Sequence, residues 1–211
     1  MRTGIVLAGG RSARFGGQKL AADVDGISIL AATISAFAGL VDGLIVAGPQ
    51  LPPDWGRVWD DTTPLVLIPD ADPFGGPLAA LANVLGRATP GPDSLTIIVG
   101  GDMPALVPGV LRAMFDRLDA DPSIDALVLE APDRAPESSA PLQVLPLAVR
   151  EARARAAVLD TVGEGRRSLR SLLDRLRWEE LPAAAWSPLD PDGRTLLDVD
   201  TRADLERIRP G

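Results

Sequence analysis

The sequence predicts a three-layer α/β fold, with a mostly parallel sheet and helices on both faces. Three observations carry this. Short apolar, β-branched runs recur along the first two thirds of the chain, stretches of helical spacing lie between most of them, and Gly or Asp residues follow the ends of three runs. Strands buried on both faces read as continuous apolar runs. Strands alternating with helices build parallel sheets. Ligands in such sheets bind beyond the carboxyl ends of the strands.

The elements follow in order. Positions 3–8 (TGIVLA) form an apolar run that enters Gly9-Gly10 and is expected to be a buried strand. Positions 27–40 have helical character, with Gly39 as a stop signal. Strands are expected at 43–47 (GLIVA) and at 65–68 (LVLI), the latter ended by Pro69. Positions 76–87 read as a helix with Pro77 in its first turn and Leu78, Leu81 and Leu85 on one face. A strand at 95–99 (LTIIV) runs into Gly100-Gly101-Asp102. A helix at 107–118 opens on Pro108, and a strand follows at 125–129. The segment 131–141 is rich in Pro, Ser and charge and reads as an exposed loop. Beyond it, 142–147 is expected as a strand, 148–159 and 168–176 as helices, and 196–200 (LLDVD) as a short strand, with Thr201 capping a last helix to Ile208. There is no internal repeat and no linker, so a single domain spanning 1–211 is expected.

Composition narrows the chemistry. Among 211 residues there is no Cys and no His. Disulfides, thiolate nucleophiles, His-ligated zinc or haem and Ser-His-Asp catalysis are thereby excluded. A metal would have oxygen ligands, which points to magnesium, manganese or calcium. The net charge of −8 suits a chain that does not bind nucleic acid nonspecifically. No apolar run is long enough to span a bilayer and no signal-peptide core opens the chain, so a cytoplasmic protein without membrane contact is expected. Lys and Arg total 21, yet the only lysine is Lys19. An Arg-rich coding bias explains this as well as a need for a compact ammonium at that position does.

Four constellations carry potential chemistry. The first is the loop 7–19. Its adjacent Gly9 and Gly10 let backbone N–H groups face an anion, and Arg11, Arg14 and Lys19 supply cations for phosphate oxygens. It is neither a Walker A loop nor a dinucleotide fingerprint, and a plain structural turn is the bland alternative. In the second, Asp102 ends a buried strand before Met103-Pro104, where it could ligate magnesium or merely cap the next helix. The third is the pair Asp198 and Asp200, which would share a face if 196–200 were a strand. Side by side they would need a cation or ligand between them, unless both are simply solvated. The fourth is Pro69-Asp70 followed by Phe74-Gly75-Gly76-Pro77. Its helix start offers N–H groups to an anion or a base edge, or is an ordinary helix start.

In order and spacing, these pieces resemble the molybdenum cofactor guanylyltransferase family, which has a Rossmann-like nucleotidyltransferase fold. The family pattern Leu-Ala-Gly-Gly-x-Ser-x-Arg-(Met/Phe)-Gly-x-x-Lys is matched from Leu7 to Lys19. Its Gly-Pro-Leu-Ala segment is matched at Gly76 to Ala79, its Asp-x-Pro at Asp102 to Pro104, and its closing (Asn/Asp)-x-(Asn/Asp)-Thr-x-x-(Asp/Glu)-Leu at Asp198 to Leu205. The resemblance implies that Leu7, Ala8, Gly9 and Gly10 bind the guanine end and phosphates of GTP. It assigns Arg14 and Lys19 to the triphosphate, Asp70 to the nucleoside, Gly76 and Pro77 to the nucleotide site, and Asp102 to magnesium. It makes Arg14, Lys19 and Asp102 the catalytic set, with Asp200 and then Asp198 as further metal contacts. It implies transfer of GMP from GTP to molybdopterin-bound molybdenum cofactor with release of pyrophosphate. Mg2+ would be the cofactor, and molybdoenzymes or cofactor-insertion proteins the partners it allows.

Two departures bear on the acceptor. Guanylyl members often carry Asn where this chain has Asp198 and Asp200, and Ala47-Gly48-Pro49 lacks an Asn often found at that strand end. CTP as donor, another phosphorylated acceptor such as phospholactate, and a nucleotide-binding module without catalysis are the rival readings. The basic cluster Arg166-Arg167-Ser168-Leu169-Arg170 could meet an acidic acceptor or be a solvated helix face.

Overall fold

The computed structural model describes residues 1–9, 19–69, 75–87, 91, 93–132 and 142–208. Of the sequence-predicted site, Gly10, Arg11, Arg14, Asp70 and Phe74 lie outside the described residues, as does most of the loop 131–141.

The first half runs β1 (Arg2–Leu7), β2 (Asp23–Val24), β3 (Ile27–Ser28), α1 (Ile29–Ser35), β4 (Gly43–Ala47), β5 (Leu65–Ile68) and α2 (Pro77–Arg87). The second half runs β6 (Leu95–Gly100), α3 (Pro108–Ala120), β7 (Ala126–Leu129), β8 (Leu147–Arg150), α4 (Glu151–Gly163), α5 (Arg170–Leu173), β9 (Trp178–Leu181), α6 (Ala183–Trp186) and α7 (Arg202–Ile208). Seven strands form one sheet in the order β5-β4-β1-β6-β8-β7-β9. Only β8 runs against its neighbours β6 and β7.

Side chains of a strand alternate between sheet faces, and here both faces are apolar and covered. Val6, Val46, Ile97 and Val99 pack with α1, the turn after it and α3 through Ile34, Phe37, Val110 and Phe115. Ile5, Leu7, Ile98 and Val128 pack on the opposite side with α2 and α4 through Leu81, Leu85, Ala154 and Val158. This is the expected three-layer arrangement, and it explains why the central strands read as unbroken apolar runs. Gly4 is needed within β1 because a Cβ there would lie 2.6 Å from Leu44 Cδ1 and 2.8 Å from the Phe37 ring.

Several elements differ from expectation. Ile27 and Ser28 do not begin the first helix but pair antiparallel with Val24 and Asp23. The turn between them places Asp25 at φ 53° and Gly26 at φ 86°, the left-handed geometry that Asp-Gly supplies in tight hairpins. The helix starts one residue later, capped by the Ser28 side chain, which accepts from Ala31 N–H. The strand expected at 142–147 lies instead at Leu147–Arg150, and α4 begins at Glu151, because burial between β6 and β7 outweighs the helix preference of Leu-Ala-Val-Arg. The helix expected at 168–176 shortens to Arg170–Leu173. No strand forms at 196–200: a 3-10 turn over Arg194–Leu196 leads into irregular backbone. Thr201 does cap the last helix. Its Oγ1 accepts from Asp204 N–H at 3.4 Å, while its own N–H donates to Asp204 Oδ2 at 2.7 Å.

Candidate functional site

Four strands of the parallel set end together. Ala8 N–H donates to Ala47 O at 2.7 Å, Gly48 N–H to Ile68 O at 3.0 Å, and Gly101 N–H to Leu7 O at 2.9 Å. The backbone thus stays laced for one residue beyond β1, β4 and β6. Such close approach requires small residues. A Cβ at Gly48 would lie 2.9 Å from Ala8 Cβ, and one at Gly101 would lie 3.2 Å from Ala8 Cα. Ala8, the last buried residue before the glycine-rich loop, is thereby wedged between two glycines. Leu7 points the other way, into the core beneath α2, so its side chain serves packing. Gly9 is exposed beyond the sheet edge.

Asp102 follows β6 by two residues, and its carboxylate folds back over Gly100, where a Cβ would collide with Oδ1. The C-terminal arm closes on it from the other side. Val199 N–H donates to the Asp102 carbonyl at 2.9 Å. The Val199 side chain is fully buried in a small cluster with Val24, Ile29, Ala105 and Ile208. Upstream, buried Asp190 accepts from Arg194 N–H at 3.0 Å and Thr195 N–H at 2.7 Å. Thr195 Oγ1 in turn accepts from Val107 N–H at 3.1 Å. These bonds fix the arm against the entrance to α3 and so fix where Asp200 stands.

Lys19 joins the two. It opens a short 3-10 turn, and its side chain is 9% exposed. Its Nζ donates to Asp102 Oδ2 at 2.7 Å and to Asp200 Oδ1 at 2.8 Å. Burial alone would push the Lys19 ammonium down in pKa, but the hydrogen bonds and charges of the two carboxylates outweigh it and hold the pKa above its ordinary value. Residues far apart in sequence, Lys19, Asp102 and Asp200, are thus brought to one point. Asp198 keeps solvent contact. Partial burial, followed by the charges of Asp102 and Asp200, raises its pKa, and the like charges are the firmer of the two causes for a residue this exposed.

Among the described residues, no group of three or more acidic side chains converges as a metal site. Asp102 and Asp200 converge on the Lys19 ammonium, and one or two carboxylates completed by water and substrate phosphates are an ordinary ligand set for magnesium. Gly76, at φ 80°, and Pro77 open α2 beyond the end of β5, with the Arg167 carbonyl 3.3 Å from where a Gly76 Cβ would be. Arg166 and Arg170 are exposed, and Arg166 is paired with Asp174 at 2.8 Å.

A cavity of about 400 Å³ lies beside Lys19 and Ala8, walled by Leu20, Leu30, Pro49 and Gln50. Beyond Pro49, the Gln50–Pro53 wall is marked in the sequence only by a Pro-rich run directly after a buried strand.

Similarity to known proteins agrees with this geometry. The chain is 29% identical to a protein of Chloroflexus aggregans named "Probable molybdenum cofactor guanylyltransferase", covering 99% of this chain and 94% of that one. It is also 29% identical to a protein of the same name from Natronomonas pharaonis, covering 99% and 96%. Its fold is similar to that of the crystal structure named molybdopterin-guanine dinucleotide biosynthesis protein A from Archaeoglobus fulgidus, with a TM-score of 0.70, 18% identity and 99% and 97% coverage. It is likewise similar to a 4-diphosphocytidyl-2C-methyl-D-erythritol synthase from Anaerococcus prevotii, with a TM-score of 0.68, 12% identity and 98% and 95% coverage. A sequence pattern describing the MobA-like NTP transferase domain matches residues 4–181, which takes in Ala8, Lys19 and Asp102 and stops short of Asp200. By that match the chain belongs to the MobA-like NTP transferase domain family.

Proposed function

We propose that the chain transfers GMP from GTP to molybdopterin-bound molybdenum cofactor, releasing pyrophosphate. The observation that carries this reading is the buried Lys19 ammonium held between Asp102 and Asp200 at the carboxyl edge of the sheet. The names of the two relatives support the donor and the acceptor.

In this reading an acceptor phosphate oxygen attacks the α-phosphorus of GTP in line. The new P–O bond forms as the α–β anhydride bond breaks, and pyrophosphate leaves. A phosphate monoester, with its second pKa near 6, is already largely ionised at neutral pH, so the chain needs no general base and its lack of His and Cys is no obstacle. Ala8 and Gly9 present the loop to the phosphates, and Arg14 and Lys19 neutralise charge on the triphosphate. Asp70, Gly76 and Pro77 border the nucleoside. Asp102 and Asp200 would hold Mg2+, with Asp198 beside them; when bound, the ion supplies charge neutralisation on the phosphates. Residues 1–211 would act as a single domain.

The test is pyrophosphate release with GTP, Mg2+ and molybdenum cofactor. Wild type should turn over, while Asp102→Ala should lose several orders of magnitude with its fold intact. A thermal-shift panel of GTP, CTP, ATP and UTP, with and without Mg2+, separates the rivals. Stabilisation by CTP in place of GTP would replace the donor, and Mg2+-dependent GTP binding without pyrophosphate release with any acceptor would leave a binding module.

A further inference from the structure

Lys19 is an unusual ligand for a triphosphate, because in the free protein it is already engaged. Its ammonium is nine-tenths buried and donates to one oxygen of each carboxylate, at 2.7 and 2.8 Å. The backbone that carries the two carboxylates does not depend on it, since Val199 N–H holds the arm to the Asp102 carbonyl and the Val199 side chain is anchored in its own cluster. The ammonium therefore stands where a cation shared by Asp102 and Asp200 would stand. Asp102 and Asp200 would be the residues to hold a magnesium ion, which binds carboxylate oxygens more closely, at about 2.0–2.1 Å, than an ammonium does. An ammonium and a divalent ion cannot share that point, because their repulsion at contact distance opposes double occupancy.

We infer that Lys19 is a resident cation of the Asp102–Asp200 pair and is exchanged for the metal when a metal-bound nucleotide arrives. The inference rests on reading Asp102 and Asp200 as the metal ligands. The triphosphate gives the displaced ammonium new anionic partners, so exchange is favourable when metal and nucleotide come together and unfavourable for metal alone. This makes Lys19 a gate that couples metal entry to nucleotide entry. It also reverses the usual expectation for removing a site residue: without the ammonium, the bare metal should bind more tightly.

The experiment is a Mn2+ titration of nucleotide-free protein, following the spectroscopic signal of free Mn2+. Lys19→Met keeps the apolar stem and removes the charge. It should bind Mn2+ about tenfold or more tightly than wild type, the scale on which one neighbouring unit charge alters cation binding. Adding Asp200→Asn to Lys19→Met should abolish the gain. Equal or weaker binding by Lys19→Met, or a gain that survives Asp200→Asn, overturns the exchange. If wild type binds Mn2+ with GTP but Lys19→Met gains nothing without it, the metal site stands and only the exchange falls. If neither protein binds Mn2+ even with GTP, the metal reading falls and takes the exchange with it.

Should Lys19→Met not fold, wild type supplies its own reporter. Lys19 is the only lysine, so protein labelled with 15N at lysine Nζ gives one side-chain ammonium resonance. Mg2+ alone should leave that resonance in place, and Mg2+ with a non-hydrolysable GTP analogue should move it. A resonance that moves equally with Mg2+ alone, or with neither, overturns the proposal.

Discussion

Gly48→Ala probes how tightly the glycine-rich loop is seated. The new Cβ would lie 2.9 Å from Ala8 Cβ, 3.1 Å from Ala8 O and 3.2 Å from its carbonyl carbon. Ala8 cannot retreat freely, because its N–H is bonded to Ala47 O at 2.7 Å and Gly101 closes its far side. Overpacking of this kind costs roughly 1–3 kcal/mol. For a chain of this length, that lowers Tm by roughly 2–12 °C. Ala8→Gly removes the shortest contact but leaves the two backbone contacts, so it should rescue Gly48→Ala only in part. The expected coupling in a double-mutant cycle is about 0.5–3 kcal/mol in the favourable direction. Thermal unfolding of wild type, both single variants and the double variant gives the cycle, and the stabilisation each gains from GTP with Mg2+ reports the loop. Gly48→Ala should also weaken that GTP effect, because Gly9 follows directly from the displaced residue. Unfolding of Gly48→Ala within about 1 °C of wild type, or strictly additive losses in the double variant, would refute the wedge.

Three further outcomes are expected. Glu151 is 4% exposed, and burial raises its pKa, only partly offset by the Thr96 hydroxyl that donates to it at 3.2 Å. The folded state thus favours the protonated form and loses stability as pH rises from the ordinary glutamate range through the raised pKa, so Glu151→Gln should raise Tm at about pH 8 and change it little at about pH 4. Asp125 accepts from Arg177 Nε at 2.8 Å, Nη2 at 2.9 Å and the backbone N–H at 3.1 Å, and these bonds hold its carboxyl below the usual carboxylate range. Asp125→Ala should cost roughly 2–3 kcal/mol near neutral pH, and chemical denaturation should show the gap from wild type closing as pH falls through the depressed pKa. Thr195→Ala leaves Val107 N–H without its acceptor at the start of α3 and should cost about 1–2 kcal/mol by denaturant titration, with Thr195→Ser restoring it.

How far each element could be read depended on what it packs against. β1, β4 and β6 are continuous apolar runs because both faces of the sheet are covered, and that pattern is local. Asp25-Gly26 is also a local hairpin signal, but the apolar periodicity of 27–40 runs straight over it. β8 was displaced in the reading because Leu-Ala-Val-Arg suits a helix, and only the slot between β6 and β7 makes it a strand. β9 has no signal in the sequence. Trp178-Glu179-Glu180-Leu181 lies at the sheet edge, with its first two residues exposed, and carries no apolar run to find.

For the candidate site, the notable residue types stand out in the sequence and their placement in space does not. Being the only lysine marks Lys19, and from sequence alone it reads as a mobile point charge; the structure instead buries it between two carboxylates 83 and 181 residues away along the chain. The pairing of Asp198 with Asp200 was inferred from strand alternation. The strand is absent, yet the alternation survives, because Val199 alone is drawn into a pocket and leaves its two neighbours on the solvent side. One buried valine thus does the work assigned to a hydrogen-bonded ladder. The difference has consequences, since a ladder would hold both carboxylates symmetrically, whereas a single anchor and one Val199–Asp102 bond set Asp200 against Lys19 and leave Asp198 to feel the other charges at a distance. The unequal placement of these two Asp residues therefore follows from the anchor, and no spacing rule could have ranked them.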